Sequence, residues 1–264
     1  MLRSKLSSIG FSLLVALILA APASASVIIP YGYDFTVDVY DASGTTLVGS
    51  TNATLLNQAD MLSLTYDSTY DTYSMALTGP TSVAGTLIES WGSDYKIDPF
   101  VTNNVQIVNN SGVTQTYVIG VISPVAPPLF PSQIIQSNVL VQINDDDNLG
   151  GATLNDAFGA PVYRATVNNN PLGVLDLLSA PYTLSCTSPF DCAVLGNGQD
   201  AAGILSQGYV GPSPATSIGI TLSFQLSPGD SASLQSRFEI IPEPALGILV
   251  GLGLVSLAVA RRRS

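Results

Sequence analysis

No histidine occurs anywhere in this chain. That one absence removes Ser-His-Asp and Cys-His nucleophile arrangements, histidine-based zinc sites and the side chain that most readily moves protons at neutral pH. Cysteine is nearly absent as well: only Cys186 and Cys192 are present, and two thiolates alone make a poor zinc site. Basic residues are scarce, with eight Lys and Arg in all. Five of these lie at the ends, as Arg3, Lys5, Arg261, Arg262 and Arg263. Between residues 26 and 243 only Lys96, Arg164 and Arg237 face nineteen Asp and Glu, a net charge of −16. A surface that acidic repels nucleic-acid phosphates and anionic lipid, so nucleic acid is excluded as a partner while cations and neutral glycans remain. Lysine and glutamate are too few to build surface helices. Neither a G-x-S-x-G elbow nor a P-loop occurs, and there is no internal repeat or dividing linker.

What is present is strand periodicity. Tyr33, Phe35, Val37 and Val39 alternate with Asp34, Thr36 and Asp38, and Ile218, Ile220, Leu222, Phe224 and Leu226 alternate with small and polar residues. Both patterns predict half-buried antiparallel strands. Further strands are expected at Ala53–Leu56, Met61–Tyr66, Tyr73–Leu77, Val83–Glu89, Asn104–Val108, Gln115–Ile122, Ile134–Ile143, Val162–Val167, Tyr182–Cys186 and Ala232–Ile240. A short helix near Gly173–Leu178 stays open. Asp41–Gly44, Asn109–Gly112 and Ser227–Asp230 carry the Asn, Asp and Gly chemistry of hairpin turns. Pro124, Pro127, Pro128 and Pro131 form a stiff connection where the chain can cross between sheets. The fold class expected for residues 26–240 is all-β, a single antiparallel β-sandwich of jelly-roll-like kind.

The two ends read as addresses. Arg3 and Lys5 precede the apolar run Ile9–Ala20 and the small residues Ala23-Ser24-Ala25, the layout of a secretory signal peptide over residues 1–25. At the other end, Pro242 and Pro244 hold Ile241-Pro242-Glu243-Pro244 extended. The apolar run Ala245–Ala260 can then form a transmembrane helix, and Arg261, Arg262 and Arg263 fix its end on the cytoplasmic side. Residues 241–264 together resemble the PEP-CTERM sorting signal of bacterial exosortase substrates. The resemblance is confined to this tail. It implies export across the inner membrane, transient membrane anchoring through the C-terminal helix, cleavage near Pro242, Glu243 and Pro244 by an exosortase-type processing protease, and release to the cell surface in a bacterium that makes extracellular polysaccharide and biofilm.

Inside the domain the chemistry is sparse. In an oxidising compartment Cys186 and Cys192 are expected to form a disulfide closing a small loop. Ser93-Asp94-Tyr95-Lys96 matches S-x-x-K, but Gly92 and Pro99 place it in a loop without the accompanying motifs of that mechanism. Glu89, Asp94 and Asp98 near Trp91, the sole tryptophan, could be a glycan-hydrolysing pair, a sugar-binding face or the rim of a core. Asn144-Asp145-Asp146-Asp147-Asn148 fails the EF-hand spacing. It is either an acidic solvated turn or a calcium site using Asp145 and Asp147 with Asn144 or Asn148. The sequence therefore points to a structural or adhesive surface protein with no catalytic residues, with calcium as its one candidate cofactor and with extracellular polysaccharide as a candidate partner. A glycan-binding or glycan-hydrolysing protein is the alternative.

Overall fold

The computed structural model describes residues 29–30, 32–96, 99–125, 133–147, 150–170, 173–186, 193–196, 207–209 and 216–242. In chain order its elements begin with β1 (Asp34–Tyr40), β2 (Leu47–Asn52), α1 (Ala53–Gln58), β3 (Leu62–Asp67), β4 (Thr72–Leu77), β5 (Thr81–Val83) and β6 (Thr86–Lys96). They continue with β7 (Phe100–Asn109), β8 (Gln115–Pro124), β9 (Gln133–Asn144), β10 (Thr153–Asp156), β11 (Tyr163–Val167) and β12 (Leu175–Leu177). The last are β13 (Thr183–Ser185), β14 (Ala193–Gly196), β15 (Gln207–Tyr209), β16 (Ser217–Leu226) and β17 (Ser231–Pro242).

The strands form two antiparallel sheets. The first runs β12-β11-β16-β8-β1-β2, with β10 beside β16 and β13 beside β10. The second runs β14-β9-β17-β7-β6-β4-β3, with β15 on β9 and β5 on β6. Alternation explains why they pack face to face. On β1 the odd residues Phe35, Val37 and Val39 are fully buried, each burial contributing about 1.5–3 kcal/mol. On β16 Ile218, Ile220, Leu222, Phe224 and Leu226 do the same. Phe35 of the first sheet stacks on Trp91 of the second at 3.8 Å between ring centroids, and Tyr33 meets Tyr95 at 4.5 Å. One continuous core results.

Several expectations are corrected. Ala53–Leu56 is not a strand but the start of α1. Asn52 is extended, and its Oδ1 accepts a hydrogen bond from Leu55 N at 2.9 Å, an N-cap that starts one helical turn and buries Ala53 and Leu56 on one face. Val83–Glu89 is split by a tight turn at Ala84 and Gly85, both with positive φ, so that β6 starts at Thr86 and runs on through Lys96. Gly173–Leu178 holds the strand β12, not a helix. The strands β2, β10, β14 and β15 went unpredicted.

The most consequential correction concerns turns. Asp41–Gly44 does join paired strands, β1 and β2. Asn109–Gly112 and Ser227–Asp230 do not. The first carries the chain from β7 in the second sheet to β8 in the first, and the second carries it from β16 back to β17 in the second sheet. Both are arches between layers. The chain also changes sheet between β8 and β9, across the proline-rich segment, and again between β9 and β10.

Residues 1–28 and 243–264 lie outside the described residues, and with them the expected signal peptide and the span Ala245–Ala260. Among the described residues no helix is long and apolar enough to cross a membrane.

Candidate metal centre

The β7–β8 and β16–β17 arches are tied together by one buried side chain. Asn109 Nδ2 donates to the carbonyls of Val113 (2.8 Å), Leu226 (3.0 Å) and Ser227 (3.1 Å). Its Oδ1 accepts from Ser111 N and Ser111 Oγ. Backbone bonds from Asn109 N to Asp230 O and from Gly229 N to Asn109 O lock the same junction. Every polar atom of that amide is thereby satisfied, as burial requires.

The loop after β9 meets this junction because of register. β9 and β17 pair with Asn144 opposite Ser231, so the residue following β9, Asp145, arrives beside the residue preceding β17, Asp230. Asp145 Oδ2 accepts from Gly151 N at 3.0 Å, turning the loop back on itself. That places Asp147 over the β16–β17 arch. One carboxylate oxygen from each of Asp145, Asp147 and Asp230 lies within 4.8 Å of the others. Oxygens bound to one calcium ion at 2.3–2.6 Å can be no more than about 5 Å apart, so the three fit a single ion.

Gly229 makes the approach of Asp147 possible. Its φ is +79°, and a Cβ placed there would stand 2.1 Å from Asp147 Oδ2. A glycine serves both the turn and the carboxylate.

Asp230 is the least ordinary member. It is 1 % exposed, and its Oδ1 is buried without a hydrogen-bond partner. Ser227 Oγ donates to its other oxygen, Oδ2. Burial raises its carboxyl to about 6; the Ser227 hydroxyl pulls the value back, and Asp145, Asp147 and Asp146 add repulsion that pushes it up. A buried carboxylate oxygen with no donor costs about 1–3 kcal/mol or more unless something positive faces it. Beside it opens a cavity of about 600 Å³ whose described lining includes Asn110, Asp147, Ser227, Pro228, Asp230 and the backbone of neighbouring glycines.

The predicted site residues divide clearly. Asp145 and Asp147 are brought together. Asn144 is turned away, its Oδ1 accepting from Gln142 Nε2 and its Nδ2 donating to Ser231 Oγ, while Asn148 lies outside the described residues. The third acid, Asp230, was missed: the sequence offered Ser227–Asp230 only as a turn, and nothing in it announced the β9–β17 pairing.

The other constellations do not converge. Ser93 and Lys96 sit on opposite faces of β6, a strand and not the expected loop; Ser93 is buried and donates to Thr102 O at 2.6 Å. Trp91 points into the core, its Nε1 donating to Asn103 Oδ1 at 3.0 Å. Glu89 and Asp94 point outward and accept from Gln106 Nε2 and Ser74 Oγ respectively. Five residues apart on a strand bulged between Ile88 and Ser90, they are separated by roughly 13–16 Å, beyond the roughly 5–9.5 Å of a glycosidase pair. Asp98 lies outside the described residues. Cys186 is buried and no described cysteine is a free thiol, but Cys192 lies outside the described residues, so their pairing stays an expectation. Pro242 closes β17; Glu243, Pro244 and Arg261–Arg263 lie beyond.

Compared with models of known protein families and with curated proteins, the chain matches none.

Proposed function

We propose that this chain is an exported, jelly-roll-like β-sandwich with a structural or adhesive role at the cell surface or in the extracellular matrix, pinned at its arches by a divalent cation. The buried, unpartnered Oδ1 of Asp230 beside Asp145 and Asp147 carries the cation reading. An all-oxygen, carboxylate-rich donor set selects a hard ion such as calcium. Held there, calcium would link the loop after β9, in the second sheet, to the β16–β17 arch that joins both sheets. It would also neutralise charge in a segment with a net charge of −16.

Melting of the purified protein tests this reading, with calcium taken into the millimolar range because open extracellular sites bind on the order of 0.1–1 mM. At about 100 times its dissociation constant the ion should add roughly 2.7 kcal/mol. The shift should vanish in Asp230→Asn and persist in Asp94→Asn; equal shifts in the two variants would defeat it.

The export half of the proposal rests on the signal peptide, the PEP-CTERM resemblance and an exosortase-type protease acting near Pro242-Glu243-Pro244. Intact-mass measurement of the surface form should show a chain lacking Arg261–Arg263. A mature protein that keeps them would be permanently anchored instead.

A further inference from the structure

A calcium ion takes six to eight oxygen ligands, and the three aspartates cannot supply that many with equal ease. Each of the three offers one carboxylate oxygen to a common ion, and of these residues Asp230 brings a buried oxygen, Oδ1, that has no hydrogen-bond partner. Several coordination positions are left over. The side to which they open is set by burial: Asp145 and Asp230 are enclosed, whereas Asp147 is exposed and shares the wall of the 600 Å³ cavity with Asp230 and Asn110. Among the described residues that line the cavity, four are glycines, Gly112, Gly150, Gly151 and Gly229, which present only backbone to it. The volume falls in the range of sites that enclose a small ligand, about 300–1,000 Å³.

Charge narrows what could enter. Three carboxylates around one divalent ion leave a negative balance, and no lysine or arginine is among the described residues lining the cavity. An anionic group is disfavoured there, whereas a neutral polyol loses nothing to repulsion. Paired hydroxyls on adjacent carbons replace two waters on the ion, and the Asn110 amide offers both a donor and an acceptor to a third hydroxyl.

We propose that the ion held by Asp145, Asp147 and Asp230 is a recognition centre, binding neutral polysaccharide through vicinal hydroxyls that enter the adjoining cavity. This rests on the cation site argued above. Carboxylates and sugar hydroxyls are both ligands of the ion, and Asn110 positions the sugar without touching the ion.

Retention of the full-length protein on immobilised mannan and dextran tests it, with alginate as the polyanionic control. Each column is run in about 5 mM calcium, a concentration above the weak-site range, and again in chelator. Calcium-dependent retention on a neutral polymer is expected, falling at least about tenfold, or about 1.4 kcal/mol, in chelator. Asn110→Trp, which fills the cavity away from the aspartates, should abolish retention while keeping the calcium-induced melting shift. No retention on either neutral polymer, with the melting shift intact, would overturn the recognition role and leave the cation site standing. Absence of the melting shift would overturn both. Retention that survives chelator, or that is stronger on alginate than on the neutral polymers, would place binding elsewhere and also overturn it, as would an Asn110→Trp protein that still binds.

Discussion

Glu89 and Asp94 on β6 flank the sole tryptophan within a short stretch, whereas Asp230 reads in the sequence only as part of a turn. In three dimensions the contrast runs the other way. A β-bulge between Ile88 and Ser90 breaks the alternation of β6, so that Glu89 points outward as Asp94 does while Trp91 turns inward; the two acids stand roughly 13–16 Å apart, each with a hydrogen-bond donor of its own. Asp230 lies far along the chain from Asp145 and Asp147, yet strand register and two arches bring the three within reach of one ion and leave one oxygen without a donor. Closeness in sequence along a strand separates side chains; it is the ends of paired strands that gather them.

Trp91→Ala is the strongest test of the β6 half of that contrast. Trp91 is 2 % exposed and stacks on Phe35 at 3.8 Å between ring centroids. Its truncation should lower stability by about 3–5 kcal/mol in denaturant titration. The loss should be the same in calcium and in chelator, because the residue is core and not a sugar platform. A near-neutral Trp91→Ala that selectively loses glycan binding would restore the surface role that the sequence offered.

Gly229→Ala probes the other half with a smaller expected effect. A methyl group at φ +79° collides with Asp147 Oδ2. The strained backbone should cost about 1–3 kcal/mol in chelator, and displacement of Asp147 should weaken calcium binding in addition. The calcium-induced melting shift therefore shrinks as well as the baseline. An unchanged shift would mean that Asp147 does not belong to the ion's shell.

How legible all this was in the sequence follows from the range of the interactions. The faces of β1 and β16 were readable because period-two alternation is a local property, fixed by five or more residues in a row. α1 was not, since one helical turn set by the Asn52 cap leaves too short a pattern to distinguish Ala53–Leu56 from a strand. The arches were misread as hairpins because Asn, Gly and Pro favour the same backbone angles in both. What separates the two is the partner of the next strand, decided by contacts such as Asn109 Nδ2 to Leu226 O that no local pattern encodes. Half of the metal centre was legible for the same reason: Asp145 and Asp147 are neighbours in sequence, and Asp230 is their neighbour only through the β9–β17 register.

The finest test of the contrast is pH, through the one buried acid of the arches, Asp230. Asp230 in the folded protein holds its proton up to about pH 6, whereas in the unfolded chain it ionises near the usual value of about 3.9. At neutral pH the folded state therefore carries a buried carboxylate at a cost the unfolded state does not share. As pH falls through 6 the folded protein takes up a proton that the unfolded chain does not, so stability in chelator should rise between pH 7 and about pH 5, the reverse of the usual trend for paired carboxylates. The gain ends near pH 4, where the unfolded chain protonates too. Calcium inverts the slope, because an ion bound to Asp230 requires its ionised form and is displaced as the pH drops. Melting curves from pH 7 to 5 should thus rise in chelator, fall in calcium and flatten in Asp230→Asn, while Asp94→Asn follows the unmodified protein under both conditions. A chelated protein that loses stability over the same interval would mean that Asp230 is ionised at no cost, and that the arches hold an ordinary solvated acid.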